Sequence, residues 1–137
     1  MEVAALITWV ATAAGGFVML GVWITNGGLR RTEGGTSRFP PAVILGHFLL
    51  AAVGLVLWIA FVISDDATGL AWAGFVILLP VAVLGFMMLA RWLAGRRAGT
   101  TAAPAAEQRF PVPVVVVHGL LAVTTVVLVL LAAIDAA

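Results

Sequence analysis

The stretch "RFPPAVILGH" (Arg38–His47) returns as "RFPVPVVVVH" (Arg109–His118), and the chain's only two histidines both fall at the end of this frame. Proline is tolerated in the first turn of a helix, where its missing N–H would have had no partner. Each Arg-Phe-Pro therefore reads as the entrance to a helix. Each histidine lies seven residues past its proline, Pro40 or Pro111, about 10 Å inside at about 1.5 Å per residue.

The rest of the chain says what those helices enter. Of 137 residues, 64% are hydrophobic and 9% charged, with a mean hydropathy of +1.21. A soluble domain needs more charge on its surface, so the composition is that of an integral membrane protein. Four runs, at roughly 3–25, 41–64, 70–93 and 112–134, reach the ~20 apolar residues that a bilayer core requires. They lack the alternation of barrel strands, and lipid leaves helices as the other solution. The expected fold is all-α: one transmembrane domain over 1–137, a four-helix bundle. The first run begins Met-Glu-Val with no basic flank, which reads as a retained helix and not a cleaved signal.

The repeat extends beyond the opening stretch. An offset of 71 superposes Arg38, Phe39, Pro40, His47, Leu49, Leu50 and Ala51 on Arg109, Phe110, Pro111, His118, Leu120, Leu121 and Ala122. An offset of 69 places "GFVMLGVW" (Gly16–Trp23) on "GFMMLARW" (Gly85–Trp92). Helices 1–2 (repeat 1, about 3–66) and 3–4 (repeat 2, about 70–136) thus read as one duplicated hairpin. Two crossings per unit give a parallel pseudo-two-fold repeat about the membrane normal. His47 and His118 are then expected at one depth, facing each other across the axis.

Charge sets the orientation. Arg30, Arg31 and Arg38 flank the first connection, and Arg91, Arg96, Arg97 and Arg109 the third, whereas the second has only Asp65 and Asp66. The positive-inside rule places both Arg-rich connections in the cytoplasm and both termini outside. All seven basic residues are Arg amid abundant Ala, Gly and Val, a composition expected of a GC-rich bacterial genome, hence the bacterial inner membrane. The connections "NGGLRRTEGGTS" and "AGRRAGTTAAPAAEQ" read as mobile loops.

Two facing imidazoles inside a bilayer call for a partner, because a polar group at that depth is costly without one. Four and seven residues past His47 come Ala51 and Gly54; past His118 come Ala122 and Thr125. Small residues on the histidine stripe leave room for a flat object between helices 2 and 4. At the same depth helices 1 and 3 offer Gly16 and Gly85 for close approach, with Phe17, Phe86, Met19 and Met88 beside them to pack on ring edges. Arg38 and Arg109 are the symmetric candidates to bind carboxylates such as haem propionates, with Arg91 and the Arg30/Arg31 pair behind.

In this layout the chain resembles the b-type cytochromes of membranes, helical bundles with haem between histidines on different helices. The resemblance implies one haem b per chain with His47 and His118 as axial ligands to the iron. It implies a one-electron carrier or redox-complex subunit near the cytoplasmic side, with quinone or a redox complex as partner. One pair of histidines holds one haem, so haem-to-haem transfer across the bilayer is not expected. The ring N–H acceptors expected are the carbonyls one turn back, Val43 and Val114. A homodimer is an open alternative.

The competing reading is a haem-free scaffold or assembly protein whose histidines bond each other; a metal or haem carrier comes third. A bare metal ion would lack ligands, since there is no Cys and no Asp or Glu at that depth. Transport is disfavoured because Arg91 is the only other ionisable residue in the spans. No P-loop, dinucleotide fingerprint, nucleophile–base pair or paired carboxylate is present, and nothing points to nucleic acid.

Overall fold

Four hydrophobic runs bounded by proline, glycine and arginine give four helices in the computed structural model, which describes residues 1–30, 37–64, 67–98 and 105–137. They are α1 (Glu2–Thr25), α2 (Pro41–Val62), α3 (Thr68–Arg97) and α4 (Val112–Asp135), with a short 3-10 turn, Ala106–Arg109, leading into α4. All four are long and apolar enough to cross a membrane. Pro41 opens α2, Pro111 caps α4 and Pro113 occupies its first turn, as the Arg-Phe-Pro frame requires. Beyond α1 the chain turns at Gly27, φ 84°, and Gly28 lies flat on the Trp23 indole, where a Cβ has no room.

Helix α3 is longer than its apolar run. It continues through Pro80 and past Trp92 to Arg97, because Leu, Ala and Arg sustain a helix into the headgroup region and cations favour its C-terminal end. Of the third connection, the first residues belong to α3 and the last form the 3-10 turn, with Glu107 only 1% exposed; residues 99–104, where a mobile loop is expected, lie outside the described residues. Asp65, Asp66 and Arg31 lie outside the described residues.

The helices form a ring in chain order. α1 packs most closely on α4 and α2 on α3, α3–α4 and α1–α2 contacts are lesser, and among the described residues the diagonal pairs do not pack backbone to backbone. α2 and α4, which carry the histidines, are thus separated across the bundle.

The packed interior is in two pieces. At the end holding both termini, Trp9, Trp58, Phe61, Leu78, Val81 and Val129 form one cluster, with the Trp9 and Trp58 rings 6.4 Å apart. At the arginine end, Phe39, Trp92 and Val115 form another, joined by Met19, Met88, Ile44 and Phe110. The two phenylalanines of the repeated Arg-Phe-Pro thus plug one mouth of the bundle. Between the two clusters lies the histidine layer.

Candidate functional site: the histidine layer

His47 reaches from α2 to α3, and His118 from α4 to α1. The His47 Nδ1–H donates to the Val81 carbonyl at 3.0 Å, and the His118 Nδ1–H to the Thr12 carbonyl at 2.9 Å. A carbonyl only accepts, so the proton of each neutral imidazole is fixed on Nδ1 and Nε2 carries the lone pair. The offset of 69 that superposes Gly16 on Gly85 also superposes Thr12 on Val81. The two histidines therefore make the same contact at matching places.

The acceptors are on neighbouring helices, not one turn back at Val43 and Val114. Carbonyls within a helix are already engaged in its own ladder and point along the axis, whereas the side chain projects outward to the next helix. Glycine makes the approach close enough. A Cβ on Gly85 would sit 3.3 Å from His47 Cε1, and one on Gly16 3.4 Å from His118 Cε1. Gly15 likewise lies against the His118 ring. The faces of Gly16 and Gly85 are thus taken up by imidazole edges.

Neither Nε2 has a hydrogen-bond partner among the described residues, and both rings are half-buried. No fully buried side-chain nitrogen or oxygen among the described residues lacks a partner, so each Nε2 keeps some accessible surface. The histidines do not hydrogen-bond each other; the pairing expected of a scaffold is replaced by two bonds to backbone. Chemically, the layer offers two imidazole nitrogens with free lone pairs, one from α2 and one from α4. Among the described residues no group of three or more His, Asp or Glu comes together.

Other residues singled out from the sequence are distributed differently. Gly54 is buried beneath Trp9, whose ring lies 3.0 Å from where a Cβ would be, and Ala51 packs on the same cluster. Thr125 is buried; it bonds the Leu121 carbonyl and meets the Thr12 hydroxyl at 3.3 Å. The room expected along these stripes is filled by protein on the terminal side of the histidines. Ala122, one turn past His118, is half-buried. Phe17 and Phe86 point outward, 59% and 58% exposed, and Phe17 instead meets Phe48 edge-on at 5.4 Å. One residue is about 100° around a helix, so a glycine facing inward turns the next side chain to lipid. Met19 and Met88 do face inward, on the arginine-end cluster.

Arg109 is exposed, with no hydrogen bond, ion pair or ring contact of its side chain among the described residues. Arg38 is also exposed, but its carbonyl accepts from Arg91 Nη2 at 3.0 Å. Beneath it lies a network that the sequence reading missed. Buried Glu107 accepts from the Ser37 hydroxyl at 2.9 Å and from the Arg38 N–H at 2.8 Å. Ser37 Oγ in turn accepts from Trp23 Nε1 at 2.9 Å, and the Glu107 carbonyl accepts from Trp92 Nε1 at 3.0 Å. The cue available in sequence was slight: Glu107 is the lone acid between Asp66 and Asp135, two residues before the repeated frame.

Comparison with family models, curated proteins and solved structures gave no match.

Proposed function

We propose that this chain is a small b-type membrane cytochrome that holds one haem b between His47 and His118 and serves one-electron transfer, either as a carrier or as a subunit of a redox complex. The observation that carries the reading is the fixed tautomer: both Nδ1–H groups are tied to main-chain carbonyls, which leaves both Nε2 lone pairs approachable on opposed helices. A hydrogen bond at the far ring nitrogen orients a ligating imidazole and raises its basicity. The haem would supply a one-electron couple at iron buried among apolar helices.

The protein's own residues supply the surroundings. Thr12 and Val81 carbonyls hold the rings, Gly16 and Gly85 admit them, and the Trp9–Trp58 and Phe39–Trp92 clusters keep water from either end. The cofactor's neighbours would be Met19, Met88 and Ala122, in place of the stripe through Gly54 and Thr125. Quinone or a larger redox complex is the partner that this chemistry calls for.

The finer architecture belongs to the same proposal. The two hairpins are copies of one unit, supported by Thr12/Val81, Gly16/Gly85, Met19/Met88 and Trp23/Trp92 in α1 and α3, and by Phe39/Phe110, Ile44/Val115 and His47/His118 leading into and along α2 and α4. Their arginine end faces the cytoplasm of a bacterial inner membrane.

The rival is a haem-free scaffold, favoured by one fact: each histidine already staples two helices without a cofactor. An absorption spectrum of the purified chain, oxidised and reduced, separates the two. About one haem per chain, with six-coordinate bands lost in His47→Ala and in His118→Ala, supports the cytochrome. A colourless, folded protein from haem-replete cells refutes it.

A further inference from the structure

The arginine end holds a second feature, independent of haem. Arg91 Nη2 donates to the Arg38 carbonyl, and its guanidinium lies 5.9 Å from the centroid of the Phe39 ring, itself 3% exposed. Arg38 Nη1 lies 3.3 Å from the position of a Cβ on Gly95. Gly95 is one turn beyond Arg91 on α3, about 5.4 Å along the axis. Arg38 thus reaches onto the C-terminal part of α3, the same stretch from which Arg91 bonds its carbonyl. Glu107 fixes the backbone that presents Arg38.

Two neighbouring cations on one rim call for an anion, and none of the described residues provides one. Neither Arg38 nor Arg91 has a carboxylate partner, and the only described carboxylate at this end, Glu107, is buried and occupied by Ser37 and the Arg38 N–H. The arrangement is also single. The position equivalent to Arg91 in the first hairpin is Val22, so Arg109 has no second guanidinium opposite it. Leu45, one turn inside α2, and Leu93, between Arg91 and Gly95 on α3, are 38% and 39% exposed, so the pair borders apolar surface. Lipid phosphate lies at that level of a bilayer, and arginine is suited to bind it with parallel hydrogen bonds.

We propose that Arg38 and Arg91 form a binding site for the phosphate of an anionic phospholipid, on the α2–α3 side alone. Charge complementarity at the rim of the apolar surface selects this occupant over a soluble anion.

The test is native mass spectrometry of the full chain in detergent, titrated with phosphatidylglycerol, with phosphatidylcholine and with inorganic phosphate. Arg38→Gln and Arg91→Gln are compared with Arg97→Gln, which removes the same charge at an exposed position of the same helix end. Circular dichroism verifies that each variant is folded. The expected result is selective retention of phosphatidylglycerol, weakened about tenfold by Arg38→Gln and by Arg91→Gln and less than about twofold by Arg97→Gln. Equal weakening by all three variants would reduce the site to a diffuse field and overturn the proposal. So would equal retention of phosphatidylcholine, or displacement of the lipid by inorganic phosphate at matched concentration.

Discussion

Glu107→Ala should be the most damaging single change outside the membrane-spanning helices. The carboxylate is 1% exposed and accepts two hydrogen bonds, from the Ser37 hydroxyl and the Arg38 N–H. Bonds to a charged group contribute about 1.5–3 kcal/mol each. The two losses are not equal. Ser37 can turn its proton to the Phe39 carbonyl, 3.3 Å away, and recover part of its bond. The Arg38 N–H has no other acceptor, and stranding a buried donor costs about 1–3 kcal/mol. The expected total is about 3 kcal/mol, more than a hundredfold in the unfolding equilibrium. Glu107→Gln gives the internal control. Its amide oxygen still accepts from the Arg38 N–H and the Ser37 proton turns to the Phe39 carbonyl, but Ser37 Oγ already accepts from Trp23 Nε1 and the Phe39 N–H, so the amide nitrogen gains no bond there and the cost should be about 1–2 kcal/mol, below that of Ala. Both variants are read by reversible unfolding of the detergent-solubilised chain in a denaturing surfactant. An Ala variant within about 0.5 kcal/mol of the parent, or a Gln variant as damaging as Ala, would refute the assignment of Glu107 as the acceptor that ties the two Arg-Phe-Pro segments together.

Glycine substitutions should divide by what a Cβ meets. Gly85→Ala and Gly16→Ala press a methyl group on an imidazole edge at 3.3 and 3.4 Å and should cost about 1–2 kcal/mol, whereas Gly21→Ala and Gly46→Ala meet nothing within 4 Å and should gain a few tenths of a kcal/mol or more from helix propensity; the same unfolding assay ranks the four. If the histidines ligate iron, the two buttress variants should also shift the electron paramagnetic resonance of the oxidised haem, and the other two should leave it unchanged. At the terminal end, Trp9→Ala removes the ring that covers Gly54 and meets Trp58, and a cost of about 3–5 kcal/mol is expected. A loss under about 1 kcal/mol would show that the cluster collapses around the gap.

Hydropathy alone placed all four helices, with ends within four residues of those observed, because the cost of exposing peptide groups to lipid acts on every residue of a span wherever its neighbours lie. The proline frame located the starts of α2 and α4, and the repeat singled out the two histidines as an equivalent pair. These are local or self-comparing signals, complete within one chain segment. Which helix lies beside which was not among them. Helices apolar on all sides carry little periodic difference between the face that meets protein and the face that meets lipid, so α1 gives no sign that it packs on α4, or that Trp9 will occupy the space over Gly54. The proton on Nδ1, the outward turn of Phe17 and Phe86, and the burial of Glu107 beneath Ser37 all depend on contacts between residues 34–106 positions apart or on the angle at which helices meet. Sequence fixes what each segment must avoid; only the packed bundle decides which partner satisfies each polar group, since that choice is made by distance and direction across helices.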